Sequence, residues 1–98
     1  MPTPEDVRQK LIEAIQTVQR DSGMPEPVLT GKSCPTLEID GFDSPLWIVV
    51  TGIVAIGLGV EIPPDINVFV DEDGEKRLTI DESVAVICKT MVPAKDAQ

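Results

Sequence analysis

The sequence predicts a single small domain, built mainly from helices around an aliphatic core. Three observations carry that expectation. Apolar residues recur at helical spacing from Val7 to Val18. A second helical pattern, Ile80 to Met91, follows a Thr79-x-x-Glu82 capping signal. The only aromatic residues are Phe42, Trp47 and Phe69, so the 98-residue chain must build its one core from Ile, Val, Leu, Met and Ala. The domain is expected to span 1–98, with an ordered core over about 4–91.

The first helix is expected over residues 3–20. Thr3 suits the N-cap, Pro4 the first helical position, and Asp6 makes a variant capping box. Val7, Leu11, Ile15 and Val18 form the buried stripe, while Arg8, Gln9, Glu13 and Gln16 fill the other face. Gly23 and Pro25 end the pattern. Residues 21–43 read as a long connection in which Pro25, Pro27 and Pro35 argue against regular structure, with Leu37 and Ile39 as expected anchors. Thr30-Gly31-Lys32-Ser33 has the ending of a phosphate-binding loop, but the required earlier glycine is Glu26, so that reading fails.

The stretch from Pro45 to Val60 carries no charge. It is too short to span a bilayer, is bounded by Asp43 and Glu61, contains glycines and lacks flanking Lys or Arg, so no membrane span is expected. Helix and strand compete here. Trp47 to Thr51 is rich in aromatic and β-branched residues, which favours a strand. Ser44 as N-cap, Pro45 behind it, the repeat Leu46, Val50, Val54, Leu58, and Gly59 as a C-terminal cap favour a helix. Periodicity alone does not choose.

Pro64-Asp65 suits the start of a short helix, and a short β-hairpin fits 67–78, with Asp73-Gly74 as its turn. The acidic Asp-Glu-Asp-Gly cluster is not a calcium loop. With Gly74 at position six, Phe69 and Ile80 would occupy positions that need oxygen ligands. A solvated turn is expected. In the last helix Ile80, Val84, Ile87 and Met91 face one way, with Cys88 a small core residue and the tail from Pro93 frayed.

Composition narrows the function classes. The net charge of −9 disfavours nucleic acid; it suits meeting basic patches on protein partners or serves solubility alone, and charge by itself does not choose. With no histidine, Ser/His and Cys/His catalysis is excluded, and no complete catalytic constellation or metal site is expected. Two cysteines, Cys34 and Cys88, without CxxC spacing suit a reducing compartment. The first ten residues lack the basic region and apolar core of a secretory signal, so cytoplasmic residence is expected.

Leu37-Glu38-Ile39-Asp40-Gly41-Phe42-Asp43-Ser44, followed at the family's usual spacing by Gly59-Val60-Glu61-Ile62-Pro63, resembles the acyl carrier protein family. The likeness extends over residues 4–90. It implies an all-α, four-helix bundle in which Ser44 opens the second helix. It further implies that a phosphopantetheinyl transferase attaches 4′-phosphopantetheine to Ser44, with Asp43 supporting the modification, and that the arm holds acyl or peptidyl cargo as thioesters. The implied partners are that transferase and acyl-transfer or synthase enzymes; the chain itself is a carrier, not an enzyme. Three features differ from the family pattern. Pro45 stands where leucine is usual, leaving Leu46 to take its contact. Val49, Ala55 and Ile56 stand where carboxylates are common. The second helix is therefore apolar nearly all round. Leu46, Trp47, Val49 and Ile56 become the expected partner-binding residues, with oligomerisation through this helix as a further expectation. The 63–79 region is also longer than the family's third-helix region, an addition that specialised carriers tolerate. These differences point to a specialised carrier, in lipid or secondary-metabolite biosynthesis. The alternative is a carrier-fold interaction module without the arm.

Overall fold

Thr3 starts the first helix as its chemistry dictates. Its hydroxyl accepts from Asp6 N at 3.2 Å, and the Asp6 carboxylate accepts from Thr3 N at 3.1 Å, so aspartate completes a reciprocal capping box. In the computed structural model, which describes residues 2–39, 41–71 and 73–94, helix α1 spans Pro4–Asp21. It buries Val7, Leu11, Ala14, Ile15 and Val18. Gly23 ends it at φ 79°, where Gly23 N donates to Arg20 O and Met24 N to Gln19 O, a paired closure of the last turn that only a left-handed residue allows.

The connection that follows lies against α1 and the last helix. Gln16 Nε2 donates to Pro27 O, and the carbonyls of Ser33 and Gly31 accept from Ile80 N and Asp81 N. It contains one element the prolines argued against: a single helical turn, α2, at Pro35–Glu38. Proline is suited to a first helical position because its missing N–H is not needed there. Leu37, expected as an anchor, is 71% exposed; the connection is held instead by buried Pro35 and Phe42, with Ile39 partly buried.

The uncharged stretch is a helix, α3, at Ser44–Leu58. Asp43 occupies the N-cap position, one residue before the expected Ser44, and Pro45 lies within the first turn. Val50 and Val54 are fully buried, Leu46 and Leu58 partly so. Gly59 closes the helix at φ 69°. α1 packs against both α3 and the last helix, α4 at Ile80–Thr90, and so forms the centre of the molecule. α4 has the expected box: Thr79 Oγ1 accepts from Glu82 N, and Glu82 Oε1 from Thr79 N.

The molecule is thus mostly helical, with four helices and a small sheet among the described residues. The sheet pairs β1 (Val60–Glu61) with β2 (Val92–Pro93), antiparallel, and Ala94 N donates to Gly59 O. Pro93 and Ala94, expected in a frayed tail, are therefore tied to the end of α3; Lys95 to Gln98 lie outside the described residues. Pro64-Asp65 forms a turn closed by Ile66 N to Pro63 O, not a helix. The hairpin over 67–78 is reduced to one antiparallel bridge, Val70 to Arg77. The Asp71 carboxylate accepts from Glu75 N and Lys76 N, and Gly74 turns at φ 72°, so a side chain takes backbone donors that a longer ladder would use. The radius of gyration, 12.6 Å, is that of a folded domain of this length.

A candidate functional site at the start of α3

The backbone before α3 is fixed tightly. Gly41 turns at φ 76°, Phe42 N donates to Ile39 O, and Phe42 is buried. Asp43 O then accepts from both Leu46 N (3.0 Å) and Trp47 N (3.1 Å). Trp47 Nε1 donates back to Phe42 O at 3.0 Å. The Phe69 ring meets Phe42 edge-on at 5.3 Å and Trp47 at 6.0 Å, and Arg77 lies over the Trp47 ring at 5.5 Å. All three aromatic residues of the chain therefore brace one helix end. Edge-on and tilted contacts, and a cation over an indole face, are each mildly attractive beyond area burial.

Ser44 stands exposed on this braced end, next to exposed Asp43. The Asp43 side chain makes no capping hydrogen bond, so its carboxylate is not committed to the helix. Beside Ser44 opens a groove of about 520 Å³ between α3 and the 62–68 segment. Ser44, Ile48, Thr51 and Ala55 line the helical wall; Pro63, Ile66 and Val68 contribute to the opposite wall. The lining is mainly apolar. Thr51 Oγ1 is already bonded to Trp47 O at 2.8 Å, which removes one polar group from competition for a ligand.

The four expected partner-binding residues divide between two faces. Leu46 and Trp47 pack against the core, whereas Val49 is 48% and Ile56 85% exposed, beside Ile48 at 75%. Among the described residues, Phe42 of the long connection and Phe69 and Arg77 of the 67–78 segment reach α3 at Trp47, and the outer face stays exposed. Sequence reading missed the groove residues Ile48, Thr51, Gly52 and Ala55. The signal was present: they recur at helical spacing from Ser44 and must share its face. Their partners at 62–68 were hidden because that wall has no periodicity to read.

Among the described residues no group of three or more His, Cys, Asp or Glu side chains is placed to hold a metal ion, and no helix is long and apolar enough to cross a membrane. Both cysteines are free and half-buried. Comparison with family models, curated proteins and solved structures returned no match.

Proposed function

We propose that this chain is a specialised acyl carrier protein whose Ser44 takes a 4′-phosphopantetheine arm. The observation that carries the reading is the position of Ser44: exposed, at a braced helix start, on the rim of an apolar groove. A hydroxyl can serve as acceptor of a phosphoryl group only where a second protein can reach it, and an N-terminal helix end favours the resulting phosphodiester through its dipole; Pro45 has no N–H, and Leu46 N and Trp47 N are already bonded to Asp43 O. In the transfer, Ser44 Oγ attacks the phosphorus of coenzyme A that bears the pantetheine. The diphosphate bond breaks, adenosine 3′,5′-bisphosphate leaves, and the hydroxyl proton passes to a base of the transferase. Asp43, exposed and uncommitted, is suited to meet the transferase and its magnesium. Once attached, the arm supplies a thiol that holds acyl or peptidyl cargo as a thioester. The apolar groove beside Ser44 is suited to shelter an aliphatic cargo, and the succession of α1, α3 and α4 around one core is compatible with a carrier bundle.

On this reading the protein is not an enzyme. It works in the cytoplasm with a phosphopantetheinyl transferase and with acyl-transfer or synthase enzymes of specialised lipid or secondary-metabolite synthesis. The test is co-expression with a broad-specificity transferase, followed by intact-mass measurement. Added pantetheine mass on wild type and none on Ser44→Ala is expected; no addition to wild type, or equal addition to both, overturns the proposal.

One observation favours a second reading, a carrier-fold interaction module without the arm. Ile48, Val49 and Ile56 leave an uncharged, exposed face on α3, and apolar patches of this kind mark protein contacts. That reading expects an unmodified chain in a stable oligomer or complex. Light scattering that returns a monomer together with a modified Ser44 excludes it.

A further inference from the structure

We propose that Gly52 determines which cargo the groove beside Ser44 accepts; the inference rests on the carrier reading above. Glycine is a poor choice in the middle of a helix, because it has the most backbone freedom to lose. It therefore calls for a local reason, and the other two glycines at the end of α3 have one. A Cβ on Gly57 would stand 2.9 Å from Lys10 Cδ, and Gly59 turns the chain at φ 69°. Gly52 has neither. It keeps ordinary helical geometry, and a Cβ there would meet nothing within 4 Å. Nothing within the described chain needs this side chain to be missing.

What the missing side chain does leave is space in the groove. Gly52 lines it on the Ser44 side of Ala55, facing a wall that includes Pro63 and Ile66. It lies eight residues beyond Ser44, about 12 Å along the helix axis. A molecule tethered at Ser44 and lying along the groove must pass it. Gly52 and Ala55 together keep the helical wall low over that passage, while Ile48 stands before it. A Cβ at 52 reaches no other wall, but a longer side chain there would take up groove space. The lining is mainly apolar, so the passage suits an aliphatic chain, and its length limit is set where Gly52 opens the way.

The test uses the full chain. Wild type, Gly52→Ala and Gly52→Leu are loaded by a broad-specificity transferase from acetyl-coenzyme A and from octanoyl-coenzyme A, with loading verified by intact mass. Hydroxylamine cleavage of each thioester is then timed, each protein's own acetyl form being the reference. In wild type the octanoyl thioester is expected to be cleaved more slowly than the acetyl one. In Gly52→Leu that protection should fall by about fourfold for every methylene kept out of the groove, with Gly52→Ala in between. Should Gly52→Leu lack the wild-type helical spectrum, Gly52→Ala decides the matter by the same ratio. Equal protection in wild type and the variants overturns the role of Gly52 while leaving the carrier reading intact, as does a wild type with no protection at all. A wild type that gains no mass overturns both.

Discussion

Ser83 presents a buried hydroxyl on α4. It is fully buried, and its Oγ finds no hydrogen-bond partner among the described residues. A hydroxyl buried without a partner costs about 1–3 kcal/mol relative to one that is satisfied. Ser83→Ala is therefore expected to stabilise the protein, or at least leave it unchanged, which urea unfolding monitored by circular dichroism will measure. Four residues earlier the balance reverses. Thr79 and Glu82 satisfy each other's backbone donors at the start of α4, and Thr79→Ala should cost about 1 kcal/mol in the same assay. The Glu82 carboxyl is held below its ordinary value of 4.5, first by the Thr79 N–H and then by Lys76. A carboxyl lowered on folding stabilises above its unfolded value, and that contribution disappears as pH falls through the lower folded value. Glu82→Gln should thus lag wild type in urea midpoint at pH 7, with the gap narrowing below pH 4.5. A gap that stays constant down to pH 3 would show that the ionised carboxylate is not its source.

At the level of elements, the two helices with written start signals were legible from their residues alone, α3 was expected only through the family likeness, and α2 was not expected. Thr3 and Thr79 each announce a box, and the stripes behind them pack as the spacing requires. α3 was ambiguous because Ile48, Val49, Val50 and Thr51 are as much at home in a strand; the helix follows from seating Val50 and Val54 on α1 between Pro45 and Gly59. The one-residue shift of its cap to Asp43 is below what composition resolves, since Asp and Ser serve equally well there. α2 was illegible because four residues carry no period. The same holds for the groove's second wall, whose Pro63, Ile66 and Val68 are placed by a turn and by tertiary contact. What stabilises the exposed start of α3 is the aromatic brace, invisible in sequence because Phe42, Trp47 and Phe69 come from three segments. Phe69 is fully buried, so Phe69→Ala should cost about 3–5 kcal/mol. Trp47→Phe keeps an aromatic ring but loses the bond to Phe42 O, and should cost about 1 kcal/mol. Hydrogen exchange in Trp47→Phe should rise first at the N-terminal turn of α3; a uniform rise along the helix would count against the brace.

At the scale of the whole molecule, a net charge of −9 is held within a radius of gyration of 12.6 Å. At 0.01 M salt the Debye length is about 30 Å, so every carboxylate feels most of the others; at 1 M it is about 3 Å, and only contacts survive. Salt therefore acts on two opposing terms. It relieves the mutual repulsion of the surplus carboxylates, which destabilises the folded state more than the expanded one. It also screens the ion pairs, Arg8 with Glu5 and Asp81, Lys10 with Glu13, Arg20 with Glu26, and Lys76 with Glu82. These pairs are largely exposed, and exposed pairs are worth about 0–1 kcal/mol each. No charge on α3 offsets the repulsion, because that helix has none. Repulsion should win, and Tm should rise steadily from 10 mM to 1 M sodium chloride. Chloride is the proper choice, since sulfate strengthens apolar burial by a separate route. A Tm that falls with chloride would place the balance with the ion pairs. A rise accompanied by growth in light scattering would instead show that screening lets the uncharged face of α3 associate. The same series with Ile56→Glu separates these outcomes: the scattering is lost while the rise from relieved repulsion remains.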